Sequence, residues 1–343
     1  MEEIPEQDPL PPLRVGLTYN LKKNVNSDIE DIEAEYDSMD TVLAIKNALE
    51  QSNCRVELME ATGELLNTLS QSKPDIVFNF AEGISGRGRE AQVPAIMNLL
   101  RIPFSGSDET TLCIALDKAL AKRLVASYHI KTPKYKIVFH ENPKPIHNFS
   151  LPAIVKPNAE GSSKGISDVA IATGIEELNR LVSRNISIYR QNMLVEEYIE
   201  GREYTVALLG NDSDLKVFPP MEIIHRDQSK PFHIYSYSVK QNCMELIKYE
   251  CPASVDSHTE AEMIHTAKRI YNILGCKDFA RIDFRLGNDG KLYFIEINPL
   301  PGLAPGYSDY PMIAEACGME YETLVRKILN SALKRFDMPE IPE

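Results

Sequence analysis

Nowhere in the 343-residue sequence does an apolar run approach the roughly 20 residues that span a bilayer, so no membrane role is expected. C-x-x-C pairs are also lacking. The six cysteines (Cys54, Cys113, Cys243, Cys251, Cys276 and Cys317) are scattered, which favours reduced thiols in the cytoplasm over a disulfide frame or a zinc site. Positive charge is in deficit: 37 Lys and Arg against 50 Asp and Glu leave a net charge of −13. That balance argues against a nucleic-acid partner, whose binding face is basic. It does not exclude a small anionic ligand, because a few lysines in a cleft focus a positive field. Neither G-x-x-x-x-G-K-[ST] nor G-x-G-x-x-G after a strand occurs, so a Walker loop and a Rossmann dinucleotide site are unsupported. Residues 1–12, acidic and proline-rich without an apolar core, read as a flexible leader and not as a signal peptide.

What is present suffices for two or three domains with real cores. In the first third, strand-like "LRVGLTY", "CRVELME" and "PDIVFNF" alternate with helix-like "DSMDTVLAIKNALEQSN" and with "AQVPAIMNLLRIPF", a helix running into a strand. That alternation predicts a parallel sheet with helices on its faces over residues 13–107. The middle third, 108–200, opens with one predicted helix, "DETTLCIALDKALAKRLVASYH", then strands, a Gly/Ser loop and a further helix. The last third, 201–337, reads as strands, a long helix, a hairpin and a closing helix.

The hairpin, "ARIDFRLGNDGKLYFIEINPLPG", carries polar residues between its apolar ones. Alternation puts Arg281 with Asp283 and Glu296 with Asn298. A two-residue turn at Asp289–Gly290 then sets Asp283 opposite Glu296 and Arg281 opposite Asn298. Facing carboxylates repel unless a cation lies between them. Two acids and an amide oxygen are hard ligands suited to Mg²⁺; a solvated face with Arg281 screening the acids is the plainer alternative. In "IVKPNAEGSSKGIS", Lys156 precedes a loop whose glycines, hydroxyls and lysine suit an anion, or simply a linker. Lys118 lies on the preceding helix. "LVEEYIEGREYTV" sets Glu196, Glu197 and Glu203 at a domain joint, where a carboxylate can accept from an adenine amino group or from ribose hydroxyls.

In this order and spacing, "DK", "IVKP…EGSSKGIS", "VEEYIEGREYTV", "RIDFR", "FIEINPLPG" and "YPMIAEACGMEYETLVRKIL" resemble the ATP-grasp superfamily and, within it, the D-alanine–D-alanine ligases. The resemblance covers the chain after Pro74. It implies an α/β (α+β) ATP-grasp fold, an N-terminal parallel-sheet domain followed by two ATP-clamping α+β domains. It implies an ATP- and Mg²⁺-dependent carboxylate–amine ligase that forms a peptide bond between amino acids through an acylphosphate.

Carried over position by position, Lys118 and Lys156 would contact the ATP phosphates. Glu196, Tyr198 and Ile199 would frame the adenine, with Glu203 on the ribose. Glu160, Gly161, Ser162 and Ser163 would belong to a mobile loop over the phosphates, and Lys240 would reach them from a second loop. Asp283, Glu296 and Asn298 would hold two Mg²⁺ ions, with Mn²⁺ an acceptable substitute. Arg281 and the Gly302 N–H would stabilise an oxyanion, with Ser162 and Lys240 completing the catalytic set. Ser308, three residues before Pro311, would bind the second substrate's carboxylate. ATP and small amino acids are the implied partners, and a homodimer is the implied assembly.

The sequence departs from the family at the amino-acid pocket. The family's early Ser-x-Glu pattern is absent, leaving Asp31, Glu33 or Glu35 to anchor an amine. The expected His-Gly appears as Glu82-Gly83, and Gln241 stands where a tyrosine is expected. Glu82, Arg87, Arg89 and Glu90 form either a new polar pocket or a charged loop. These changes suggest the same reaction on another substrate. The alternatives are a non-catalytic nucleotide-binding protein, or an ATP-grasp ligase or kinase acting on a different small carboxylate.

Overall fold

The computed structural model describes residues 11–23, 33, 35–161, 170–229 and 231–342. The expectations placed on residues 1–10, Asp31, Ser162, Ser163, Lys164 and Gly165 therefore lie outside the described residues.

Strands β1 (Leu13–Tyr19), β2 (Cys54–Glu60) and β3 (Ile76–Asn79) form a parallel sheet in the order β2-β1-β3. All four residues of β3 are buried, as befits a strand covered on both faces. Helix α1 (Met39–Gln51) starts at Ser38, whose hydroxyl accepts the Thr41 N–H, and turns Val42, Ile45 and Leu49 inward. Helices α2 (Leu65–Ser72) and α3 (Gln92–Leu100) cover the other face through Leu65, Leu69, Val93 and Met97. No strand follows α3; Phe104 makes only a single bridge to Val77.

The helix predicted over the start of the middle third is two helices, α4 (Glu109–Leu116) and α5 (Lys118–Ser127). The break is Asp117. Its backbone is extended and its carboxylate accepts the Leu120 N–H at 3.0 Å, so it caps a new helix instead of continuing the old one. Lys118 thereby becomes the first residue of α5.

Strands β4 (Tyr135–Val138), β5 (Ala153–Pro157), β6 (Ile171–Ala172) and β7 (Met193–Glu197) form an antiparallel sheet ordered β4-β7-β5-β6. Helix α6 (Ile175–Tyr189) packs Leu178, Leu181 and Val182 against it.

The third sheet is antiparallel. It contains β8 (Gly201–Leu209), β9 (Lys216–Val217), β10 (Met221–His225), β11 (Ile247–Glu250), β12 (Phe279–Gly287) and β13 (Leu292–Asn298). Its order is β11-β10-β8-β12-β13, with β9 beside β8. "LKVFPPMEII" splits into β9 and β10 because Pro219 and Pro220 lack the N–H a ladder needs. Between β10 and β11 lie two short helices, α7 (Tyr237–Gln241) and α8 (Cys243–Leu246). Lys240 is thus on a short helix capped by Ser236, not in a loop as the sequence suggested.

Helix α9 (Ser257–Leu274) buries Met263, Ala267, Ile270 and Leu274 in a core shared with α4, α5 and β12. The chain ends with α10 (Asp309–Ala316) and α11 (Tyr321–Arg335). Helix α11 returns to the first sheet: Leu324, Val325, Ile328 and Leu329 join the cluster of Val15, Leu17, Val42 and Ile45. Fully buried Asp278 locks this junction. It pairs with Arg335 at 2.8 Å and accepts the Gly106 N–H at 2.8 Å.

Candidate active site

The β12–β13 hairpin forms the floor. Arg281 pairs with Asn298 and Asp283 with Glu296, as the sequence predicts. The turn, however, is not the two-residue one. Gly287 accepts the Gly290 N–H and donates to Lys291, leaving a three-residue loop with Gly290 at φ +73°, a turn type that requires a left-handed residue. A bulge between Asp283 and Phe284 then restores the pairing. The two departures cancel.

The opposed acids each lean toward a cation. Asp283 accepts from Arg281 Nε at 3.0 Å and Nη2 at 3.1 Å, from Thr205 Oγ1 at 2.7 Å and from Asn298 Nδ2 at 3.2 Å. Arg281 also lies 3.4 Å from Asp309. Glu296 lies 3.3 Å from Lys118 Nζ. Burial alone would raise the Glu296 carboxyl, but Lys118, Lys156, Lys240 and Arg281 outweigh it and hold the group at about 2. Glu296 is therefore anionic at any working pH. The amide N–H of Asn298 is spent on Asp283, which leaves its oxygen as the donor toward a cation. This set of hard oxygens fits Mg²⁺.

Above the floor lies a second charged group that the sequence reading only half identified. Glu196, 2% exposed, is held by Lys122 at 2.5 Å and Lys156 at 2.8 Å. Lys122 follows Lys118 by one helical turn, which is the signal that could have found it. Its ammonium also donates to Thr132 at 3.0 Å and to the Ile295 carbonyl at 2.7 Å. Burial pushes Lys122 down to about 8 despite Glu196. Glu196 itself stays below the usual carboxylate range: burial opposes ionisation, and the two lysines overcome it. Glu196 thus serves as a counter-ion between two lysines while lining a narrow cavity.

Arg285 is the other residue missed. It continues the Arg281–Asp283 alternation and is 6% exposed. It reaches across to Glu203 at 3.0 Å, donates to the Ile199 carbonyl at 2.9 Å, and covers the Tyr198 ring at 4.8 Å. The Tyr198 N–H is engaged by the Pro152 carbonyl at 2.9 Å. Lys156, Glu196, Ile199, Glu203, Lys240 and Arg285 line a narrow cavity of about 70 Å³ beside the acids.

A larger cavity of about 450 Å³ opens from the other end of the hairpin. Lys118, Lys240, Gln241, Arg281, Asn298, Gly302 and Ser308 share it with Glu35, Asp37, Glu82 and Glu90 from the first domain, and with Glu160 and Gly161. Gly302 is required by close approach: a methyl there would lie 2.8 Å from Ser308 Oγ. That hydroxyl accepts the Ala304 N–H at 3.1 Å. The first domain's contribution is positioned by the end of β1, where Asn20 accepts the Gly83 N–H at 2.9 Å. Glu35 accepts from Arg89 and from the Gly161 N–H. It therefore closes the base of the Gly/Ser loop. Glu33 accepts the Lys23 N–H at 2.7 Å.

A profile described as D-ala D-ala ligase C-terminus matches residues 125–330. The chain belongs to the D-alanine–D-alanine ligase family. It is 31% identical over 295 residues to the D-alanine–D-alanine ligase of Aquifex aeolicus, covering 85% of this chain and 94% of that one. It is 30% identical over 305 residues to an uncharacterised protein of Sinorhizobium fredii, covering 87% of this chain and 88% of the relative. Among solved structures, the Bacillus anthracis D-alanine–D-alanine ligase complexed with ATP superposes with a TM-score of 0.74 at 20% identity, over 95% of this chain and 99% of that one. The VanG D-Ala:D-Ser ligase of Enterococcus faecalis gives 0.70 at 22% identity, over 94% and 99%. The fold is the α/β ATP-grasp fold of these neighbours. Members of the family are ATP-dependent ligases that form carbon–nitrogen bonds, and this chain is an enzyme of that class. No helix among the described residues is long and apolar enough to cross a membrane.

Proposed function

We propose that this ligase joins two small amino-acid substrates through an acylphosphate, with the nucleotide in the narrow cavity and the amino acids in the larger one. The observation that carries this reading is the hairpin face itself. Asp283, Glu296 and Asn298 stand together where the two cavities meet, with Lys118, Lys156 and Lys240 around them. Asp283, Glu296 and Asn298 would hold Mg²⁺, one ion or two, with Mn²⁺ as a substitute. A bound divalent ion would supply charge neutralisation on the transferring phosphoryl group.

The chain's own residues do the rest. Lys118, Lys156 and Lys240 bind the polyphosphate. The first substrate's carboxylate oxygen attacks the γ-phosphorus and ADP departs, leaving an acylphosphate. The second substrate's amine attacks the acyl carbon, and phosphate leaves as the peptide bond forms. Arg281 and the Gly302 N–H face the oxyanion of that tetrahedral step, while Ser308 orients the second substrate. Glu160 to Ser163 close over the phosphates and exclude water, with Ser162 joining the catalytic set. Glu203 accepts from the ribose once Arg285 releases it, and Tyr198 and Ile199 wall the base. We further propose three domains with limits near residues 107 and 200, a cytoplasmic enzyme, and a homodimer.

The test is ADP release and product mass from purified protein given MgATP and a panel of D- and L-amino acids. A condensation product lighter than its parts by one water supports the reading. A phosphorylated amino acid identifies a kinase, and an inert protein across the panel refutes ligation. One observation favours a non-catalytic rival: Arg285 lines the narrow cavity and pairs with Glu203. The substitution Asn298→Ala decides: a ligase loses turnover, whereas the rival keeps its cellular role.

A further inference from the structure

The first-domain wall of the large cavity, with Asp37, Glu82 and Glu90, carries more acidic groups than the one that a substrate's α-ammonium needs. In sequence the segment "EGISGRGRE" balances its acids with two arginines. In three dimensions both arginines are spent elsewhere. Arg87 turns outward to Asp117 at 3.3 Å with its own side chain 71% exposed. Arg89 is consumed by Glu35, by Glu160 at 3.3 Å and by the Ala159 carbonyl at 2.9 Å. Glu82 and Glu90 remain. Glu90 is 8% exposed and lines the cavity, and neither carboxylate has a hydrogen-bond or ion-pair partner among the described residues.

Two carboxylates facing one cavity are unfavourable as anions unless the cavity receives positive charge, and without it they take up protons. The cations nearby supply it only in part: Arg89 acts on both acids and Lys118 on Glu90, and Lys22 and Lys240 line the same cavity. Lys118 is bound to the Glu160 carbonyl and lies against Glu296, and Arg281 is held by Asp283 and Asp309. A metal ion is a poor occupant of this wall, because no third His, Cys, Asp or Glu among the described residues is grouped with Glu82 and Glu90, and no described amide side chain of the first domain lines the cavity as Asn298 does beside the hairpin acids. The space between the acids and the hairpin has apolar sides, with Tyr36, Leu300 and Pro301 among its lining residues. At about 450 Å³ it is of the size that encloses a small organic ligand.

We infer that this pocket selects an amino-acid substrate with a second positively charged nitrogen, a diamino or basic amino acid whose side-chain cation sits between Glu82 and Glu90. Its stem lies along the apolar sides, and its reacting end reaches the hairpin. The titration of the wall agrees. Burial, then repulsion from Glu90 and Glu35, drives the Glu82 carboxyl well above its ordinary range. Burial pushes Glu90 up to about 7 even with Arg89 beside it. A bound cation would oppose both shifts by favouring the ionised carboxylates. The inference names the substrate class for the ligation proposed above and rests on that reading.

Two readouts separate it from that reading: calorimetric binding of ornithine, lysine, arginine and alanine in both enantiomers, and ADP release with MgATP. The expected result is at least tenfold tighter binding and lower KM for a basic amino acid than for alanine. Glu90→Gln and, independently, Glu82→Gln should each remove most of that preference, and Glu90→Lys should reverse it toward glutamate. If basic amino acids bind with this sensitivity but no panel member releases ADP, the pocket assignment stands and ligation falls. If alanine drives ADP release while basic amino acids bind no better and the variants leave the preference unchanged, ligation stands and this inference is overturned.

Discussion

Replacing Glu196 by glutamine tests the charge group above the hairpin most directly. The substitution keeps the shape and removes one charge from a site 2% exposed. It leaves Lys122 and Lys156, whose ammonium groups stand 2.5 and 2.8 Å from the carboxylate, without their counter-ion. Removing one partner of a buried ion pair destabilises by about 3–5 kcal/mol. One ammonium has a way out. Burial already holds Lys122 near 8, so neutralising it in a buffer at pH 7 costs only about 1.4 kcal/mol, which caps its share of the loss. Lys156 loses the first of the carboxylates that offset its burial and keeps only the more distant Glu296, so it carries the larger share of the loss. The net loss should be about 3 kcal/mol at pH 7 and should shrink toward pH 9, where Lys122 is neutral in both proteins. Hydrogen exchange at the amides of β5 and β7 isolates this region from the rest of a multi-sheet chain whose global unfolding need not be two-state. A loss under about 0.5 kcal/mol at pH 7, or one that grows with pH, would refute the assignment of Glu196 as the lysines' counter-ion.

Arg281→Met removes the side-chain donor aimed at the developing oxyanion; kcat should fall by about 10²–10³ while ATP affinity measured by calorimetry changes little. Gly83→Ala should destabilise the first domain, because φ is +79° and the added methyl would lie 2.0 Å from the Arg89 carbonyl oxygen; a melting temperature equal to wild type would contradict the loop geometry. Stability should also depend on pH with a definite sign. Burial raises Asp37 from 3.8 and Glu90 from 4.5 to about 7, so between these limits the folded protein binds more protons than the unfolded chain, and stability falls as pH rises. Glu196 and Glu296 are depressed and act oppositely, their contribution being lost as pH falls below their ordinary value of 4.5. The melting temperature should therefore peak in mildly acid buffer, and the double variant Asp37→Asn, Glu90→Gln should flatten its decline toward pH 7.

Particular residues show where sequence reading succeeds. The strands LRVGLTY and CRVELME run over the predicted residues: the first is a short, largely apolar run at the sheet centre, and the second, at the edge, alternates exposed Arg55 and Glu57 with less exposed Cys54, Val56 and Leu58. The pairing of Asp283 with Glu296 follows from a period of two, and it survived a wrong turn because a bulge absorbed the extra residue. The helix break at Asp117 was misread because an N-cap aspartate inside an apolar periodic run looks like an exposed helical position.

By itself the sequence determined the main strands and long helices, the facing of the hairpin's charged residues and the family motifs, since each depends on neighbours a few positions apart. Only the tertiary structure decided how the charges were divided. Arg89 neutralises Glu35 and Glu160, Arg285 holds Glu203, Lys122 and Lys156 share Glu196, and Glu82 and Glu90 are left facing the cavity. The physical reason is that an ion pair is set by distance through space and by exclusion of water. Partners such as Glu35 with Arg89, or Glu203 with Arg285, lie 54 and 82 residues apart and become neighbours only when three sheets and the returning α11 have packed.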